Sequence, residues 1–124
     1  MLSDISTYLK NQGVGTPGTD MFLGLMPDQP DNCIALFEYA GSPPDLHWNG
    51  EYPGLQVRVR NKSYAAARTK IGEAMTALHG LHETVLGGTR YLLVKARGSP
   101  EVLKRDNNNR VELFVNFEII KERD

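Results

Sequence analysis

The segment from Ser63 to His79 reads as a helix that must lie against something. Tyr64, Ala67, Arg68, Ile71, Ala74, Met75 and Leu78 recur at spacings of three and four, which draws one apolar stripe along one side. Ser63 is placed to cap the first turn and Gly80 to stop the last. Ala65, Ala66, Ala67, Ala74 and Ala77 favour the helical state and leave it slim enough to approach a flat surface closely. A helix with one apolar stripe buries it against another layer, so the rest of the chain has to supply that layer.

The flanking segments supply it as strands. Leu55, Val57 and Val59 alternate with Gln56, Arg58 and Arg60, the period of a strand with one covered face. The last segment, Arg110 to Ile120, sends Val111, Leu113, Val115, Phe117 and Ile119 to one side. Cys33 to Tyr39 is apolar nearly throughout, as in a strand covered on both faces. Met21 to Met26 and Thr89 to Arg97 complete the set, the latter entered through Gly87-Gly88. A short helix, Ser3 to Asn11, precedes them, with Ile5, Tyr8 and Leu9 on one face. Residues Gly41 to Gly54, rich in proline and glycine, form a long loop, and Ser99 to Asn109 a polar one. The order α-β-β-β-α-β-β predicts an α+β fold: a mostly antiparallel sheet with two helices packed on one face, in a single domain spanning 1–124.

Motifs that suggest chemistry do not hold together. Gly13-Val14-Gly15-Thr16-Pro17-Gly18 has the letters of a dinucleotide loop, but the helix lies before it and the strand after, the reverse of what phosphate binding needs. His79, His82 and Glu83 lie close in sequence, yet Gly80 interrupts the helix between them and a third strong ligand is missing. Cys33, the one cysteine, falls in an apolar strand where a thiol is buried and inert. The expectation is therefore a protein that is not an enzyme and needs no cofactor or metal. The net charge of −1 gives no basic excess of the kind that tight phosphate binding requires. No basic leader or span of about 18 apolar residues is present, so the chain is expected to be made in the cytoplasm and to avoid membranes.

The remaining signals lie on surfaces. On the last strand, Glu112, Phe114, Glu118 and Ile120 face away from the predicted core, and apolar residues among outward charges mark contact patches. Arg58 and Arg60 project together from their strand. Two readings stand: a subunit interface with opposite charges on facing surfaces, or an ordinary cross-strand pairing of arginine with glutamate. Trp48 and Tyr52 in one loop and Arg105 and Asp106 in the other are candidates for contacting partners.

The run Pro53-Gly54-Leu55-Gln56-Val57-Arg58-Val59-Arg60, leading through Asn61-Lys62-Ser63 into Tyr64-Ala65-Ala66-Ala67, resembles a family of phage minor capsid proteins related to tail terminators and tail completion proteins. Phe22-Leu23-Gly24, Met26-Pro27-Asp28, Ser99-Pro100, Asp106 with Arg110, and Val115-Asn116-Phe117-Glu118 are similar to the family as well, so the likeness spans roughly residues 20 to 120. The resemblance implies a tail-terminator-like fold that closes into a hexameric ring. Such a ring caps the tail tube, stops further tube subunits adding, and joins the tail to the neck, with DNA passing through unread. It implies a place in the virion after assembly in the host cytoplasm, and no cofactor. Two other readings remain open here: a neck or head-completion protein of the head–tail connector, and a small nucleic-acid-binding α+β module suggested by Arg58, Arg60 and Lys62.

Overall fold

The computed structural model, which describes residues 1–123, sets two helices against one face of a seven-stranded sheet. In chain order the elements are α1 (Leu2–Asn11), β1 (Met21–Leu23), β2 (Cys33–Ser42), β3 (Gly50–Asn61), α2 (Tyr64–Leu78), β4 (His82–Leu86), β5 (Thr89–Ala96), β6 (Glu101–Arg105) and β7 (Val111–Glu122). The strands lie in the order β1-β2-β3-β7-β5-β4, and β6 also pairs with β7. Every pairing is antiparallel except that of β1 with β2. This is the expected α+β architecture, with two short strands, β4 and β6, added after α2.

Register explains where the core lies. Leu36, Val57 and Val115 sit side by side across β2, β3 and β7, and so do Ile34, Val59 and Leu113. All six are buried on the face that receives Ala67, Ile71, Ala74 and Leu78 of α2 and Ile5 and Leu9 of α1. The cap of α2 is as the sequence suggests: the Ser63 hydroxyl accepts the Ala66 N–H at 3.2 Å. α1 begins at Leu2, one residue before Ser3, with Met1 at the cap position and no side-chain cap. The Tyr8 hydroxyl donates to the Ala77 carbonyl and joins the two helices. α1 touches β1 and β2 at one end of the strand order and β4 at the other. A single helix can reach both ends only if the sheet curls around it, and the Tyr91 hydroxyl, donating to the Asp4 carboxylate at 2.9 Å, ties β5 into that curl.

Two loop boundaries differ from expectation. The strands β2 and β3 extend to Ser42 and back to Gly50, so the irregular loop shrinks to residues 43–49. Glycine there serves close packing rather than a long loop. A Cβ on Gly54 would stand 2.3 Å from the Tyr39 ring, which lies across β3 and donates its hydroxyl to the Phe117 carbonyl. The stretch read as a polar connection contains β6, whose five residues are all exposed and show no burial pattern. No helix among the described residues is long and apolar enough to cross a membrane.

Candidate contact surfaces

Both helices lie on one side of the sheet, and the other side is paved by side chains in cross-strand rows. Ala35, Arg58, Phe114 and Glu101 form one row, and Cys33, Arg60, Glu112 and Lys104 the next. Arg58 lies flat: its guanidinium carbon is 4.7 Å from the centre of the Phe37 ring, and its Nε donates to Gln56 Oε1 at 2.6 Å. The Gln56 amide donates in turn to Asn116 Oδ1. Phe114 and Ile120, expected to be outward, are half-buried, and Glu118 is exposed. The backbone of β7 is flanked by β3 on one side and by β5 and β6 on the other. Whatever meets β7 therefore meets side chains and not a strand edge.

Arg60 and Glu112 correct the sequence reading. Both were expected on a subunit interface, and both are buried by their own chain, Arg60 to 4% exposure. They are opposite in register, as a cross-strand pair would be, but Glu112 makes its ion pair with Lys104 at 3.7 Å. Arg60 is turned to a different task. Its Nε donates to the Asp31 carbonyl, and one Nη donates to the carbonyls of Pro27, Asp28 and Pro30. The connection from β1 to β2 must fold back because those strands are parallel, and Arg60 pins it to the sheet.

Arg110 pins the same connection from the other side. It donates to the Asp28 carbonyl and carboxylate, to Asp31 Oδ1 at 3.2 Å and to Asp106 Oδ2 at 2.8 Å. Burial works against its charge, but the bonds to Asp28 and Asp106 outweigh this and hold the guanidinium above its ordinary value. Asp106, expected to contact a partner, is committed to this cluster. Burial pushes its carboxyl upward, and the N–H and guanidinium of Arg110 with the N–H of Asn108 more than reverse the push, leaving it below the usual carboxylate range. Asp31 is lowered chiefly by the hydrogen bond from Lys62, against opposing burial, with help from Gln29 and Arg110. Carboxylates lowered in the folded state bind fewer protons than in the unfolded chain. Their contribution is complete above the unfolded value, about pH 4, and is lost as pH falls through the lower folded values. The urea midpoint of the chain should therefore drop between pH 5 and pH 3, and Asp106→Asn should flatten that drop. An identical pH slope in the variant would exclude Asp106 as a contributor.

The two ends of the sheet differ in character. At the β2–β3 end, Asp45 accepts from the His47 N–H and from the Tyr52 hydroxyl, each at 2.8 Å, and Trp48 Nε1 donates to the same hydroxyl at 3.0 Å. Those bonds, that from His47 foremost, hold the Asp45 carboxyl low. Trp48 covers Gly50, where a Cβ would stand 2.0 Å from the indole. The result is a braced tip that displays Leu46 at 92% exposure beside the partly exposed Trp48, while Tyr52 is half-buried beneath. At the opposite end, the β6–β7 turn is polar: Arg105, exposed, donates to Asn109 Oδ1, and Asp106 accepts the N–H groups of Asn108 and Arg110.

Burial raises the Cys33 thiol, as expected of an inert cysteine. His79 accepts the Ala96 N–H at its ring nitrogen and fastens the end of α2 to β5. No group of three or more metal-binding side chains occurs among the described residues. Sequence reasoning missed Leu46, the bracing role of Asp45 and the strands β4 and β6. For Asp45 a signal existed, an aspartate in a tight turn, whose carboxylate can accept the N–H two residues on, here that of His47.

A family model described as "Bacteriophage tail terminator protein" matches residues 8–123. Among solved structures, the fold matches a chain from the virion of a native gene transfer agent (GTA) particle. The TM-score is 0.75 at 14% identity, with 99% of this chain and 95% of that chain covered. At that identity the likeness is one of fold. No curated sequence matches the chain.

Proposed function

Because the chain belongs to the bacteriophage tail terminator family, we propose that it closes into a hexameric ring that caps the tail tube and joins it to the neck. The observation that carries this reading is the dissimilarity of the two ends of the sheet: a braced apolar tip bearing Leu46 and Trp48 at one, a charged turn at the other. A cap between tube and neck needs two such unlike faces on every copy. Between the ends, the uncovered sheet face offers Arg58, Phe114, Glu118 and Ile120 for contact between copies. A contact of one surface with a different surface, repeated with a closing rotation, fixes the number of copies by geometry alone.

The cations that suggested nucleic-acid binding are already engaged. Arg58 lies on Phe37, Arg60 holds the β1–β2 connection, and Lys62 pairs with Asp31 at 3.2 Å. That favours DNA passing through the ring without being gripped. The neck or head-completion reading differs only in the partner. The test is the mass of the purified chain by light scattering, alone and mixed with tail-tube protein. A ring-sized species on mixing is expected. A chain that ignores tube protein and binds the portal-side neck protein would move it to the connector instead.

A further inference from the structure

The contrast between the two ends of the sheet extends beyond the tip itself. Leu46 stands almost wholly in water, with the indole of Trp48 in the same short loop. A second apolar group lies at that end. Val85, 65% exposed, is opposite Arg90, Arg90 ion-pairs with Glu122, and Glu122 is opposite Gly50, the residue that Trp48 covers. Charges at this end are taken up within the chain. Lys121 pairs with Glu51, Arg90 with Glu83 and Glu122, and the Asp45 carboxylate accepts from His47 and Tyr52. The far end is the reverse. The Asp28 and Lys62 side chains are 74% and 61% exposed there, near the exposed Asn107, Asn108 and Asn109. Exposed aliphatic residues in that half are set back from the end: Val102 is opposite Leu113, and Leu25 follows Gly24, whose N–H donates to the Leu36 carbonyl.

We infer that the apolar end is the one that docks on the tail tube, each copy pressing Leu46 and Trp48 into an apolar socket on the tube's last ring, while the charged end faces the neck. The inference rests on the cap reading and assigns each partner to an end. A cap has one face covered from the moment it stops the tube, and the other in water until the neck arrives. Apolar groups belong on the first. Permanent contacts are the more hydrophobic ones, and a circle of leucines and tryptophans left facing solvent would draw caps into aggregates. The second face has to stay soluble while it waits, and exposed carboxylate, ammonium and amide groups keep it so. The tip is also built for a preformed socket. Trp48 Nε1 donates to the Tyr52 hydroxyl, that hydroxyl donates to Asp45, and Gly50 leaves room for the indole. A side chain already held in place loses little freedom on docking. Leu46 scarcely touches its own chain, so its whole side chain is available to a partner.

Paired binding measurements test the assignment: cosedimentation of the whole chain and its variants with tail-tube protein and, separately, with portal-side neck protein. Leu46→Asp alters an exposed side chain, so circular dichroism should show the parent's fold. Its binding to tail-tube protein should fall at least about tenfold, the order expected when one leucine is no longer buried, with neck binding unchanged. Leu46→Ala should lie between the two. Arg105→Glu, beside the polar turn, should weaken neck binding and leave tube binding as it was. Loss of neck binding by Leu46→Asp with tube binding intact would reverse the orientation. Parental binding of both partners by Leu46→Asp would show that the tip contacts neither. Either result overturns the inference and leaves the cap reading standing. A parent chain that binds neither tube nor neck protein would remove the cap reading and this assignment with it.

Discussion

Replacing Arg60 with methionine should destabilise the chain by about 3 kcal/mol, because it removes several hydrogen bonds from a charged donor, each worth roughly 1.5–3 kcal/mol before the freed carbonyls find other partners. Methionine keeps much of the apolar stem and close to the volume, so packing alone would predict a mild change. The carbonyls of Pro27, Pro30 and Asp31 would lose the donor that satisfies them beneath the β1–β2 connection. Leaving a buried acceptor without a partner costs roughly 1–3 kcal/mol, and part of this is recovered when the connection lifts to meet water. A chain of this size loses about 3–4 °C of melting temperature per kcal/mol, so thermal unfolding followed by circular dichroism should show a fall of roughly 10 °C. Arg60→Lys should recover only part of it, because an ammonium on a flexible stem cannot fork across carbonyls as a guanidinium does. A loss under about 1 kcal/mol would mean that Arg110 alone anchors the connection, since that is no more than an ordinary hydrogen bond contributes.

Arg60 also marks where the sequence stopped being readable. Alternation in β3 correctly sends Arg58 and Arg60 to the same face, because side-chain direction is a local property of the strand. What covers that face is not local. The connection that buries Arg60 comes from some thirty residues upstream and is aimed there by the parallel pairing of β1 with β2, which leaves no periodic signature. The pairing of Arg60 opposite Glu112 was legible as a possibility, but whether a salt bridge follows depends on which competitor is nearer, and the Pro27–Asp31 carbonyls and Lys104 win. α2 was legible almost residue by residue, since its stripe, cap and stop all agree. β4 and β6 were not, for an opposite reason: strands with little buried face carry little alternation, and their existence rests on pairing with β5 and β7. The glycines and prolines of residues 41–54 look like loop punctuation, but two of the glycines, Gly50 and Gly54, instead admit Trp48 and Tyr39 against the backbone of a strand.

Phe114→Ala and Arg58→Ala, made separately, should each give a folded chain that assembles about tenfold less well. The two side chains are neighbours in one cross-strand row on the open face, and neither belongs to the core beneath the helices. Covering a whole phenylalanine side chain is worth roughly 1.5–3 kcal/mol. A ring already half-covered in the single copy has about half of that left to gain at a contact, close to the 1.4 kcal/mol of a tenfold change in affinity. Arg58 acts through Phe37: without the guanidinium the ring loses its cover, and the row loses the charge that a neighbour's carboxylate would meet. The measurement is ring yield by light scattering at fixed tube protein, with circular dichroism to show that each variant is folded. Because β7 has its backbone engaged on both sides, any contact made there is side chain against surface, governed by area and charge. Salt should therefore weaken the Arg58 contribution. A variant pair that assembles like the parent would take the open face out of the subunit contact.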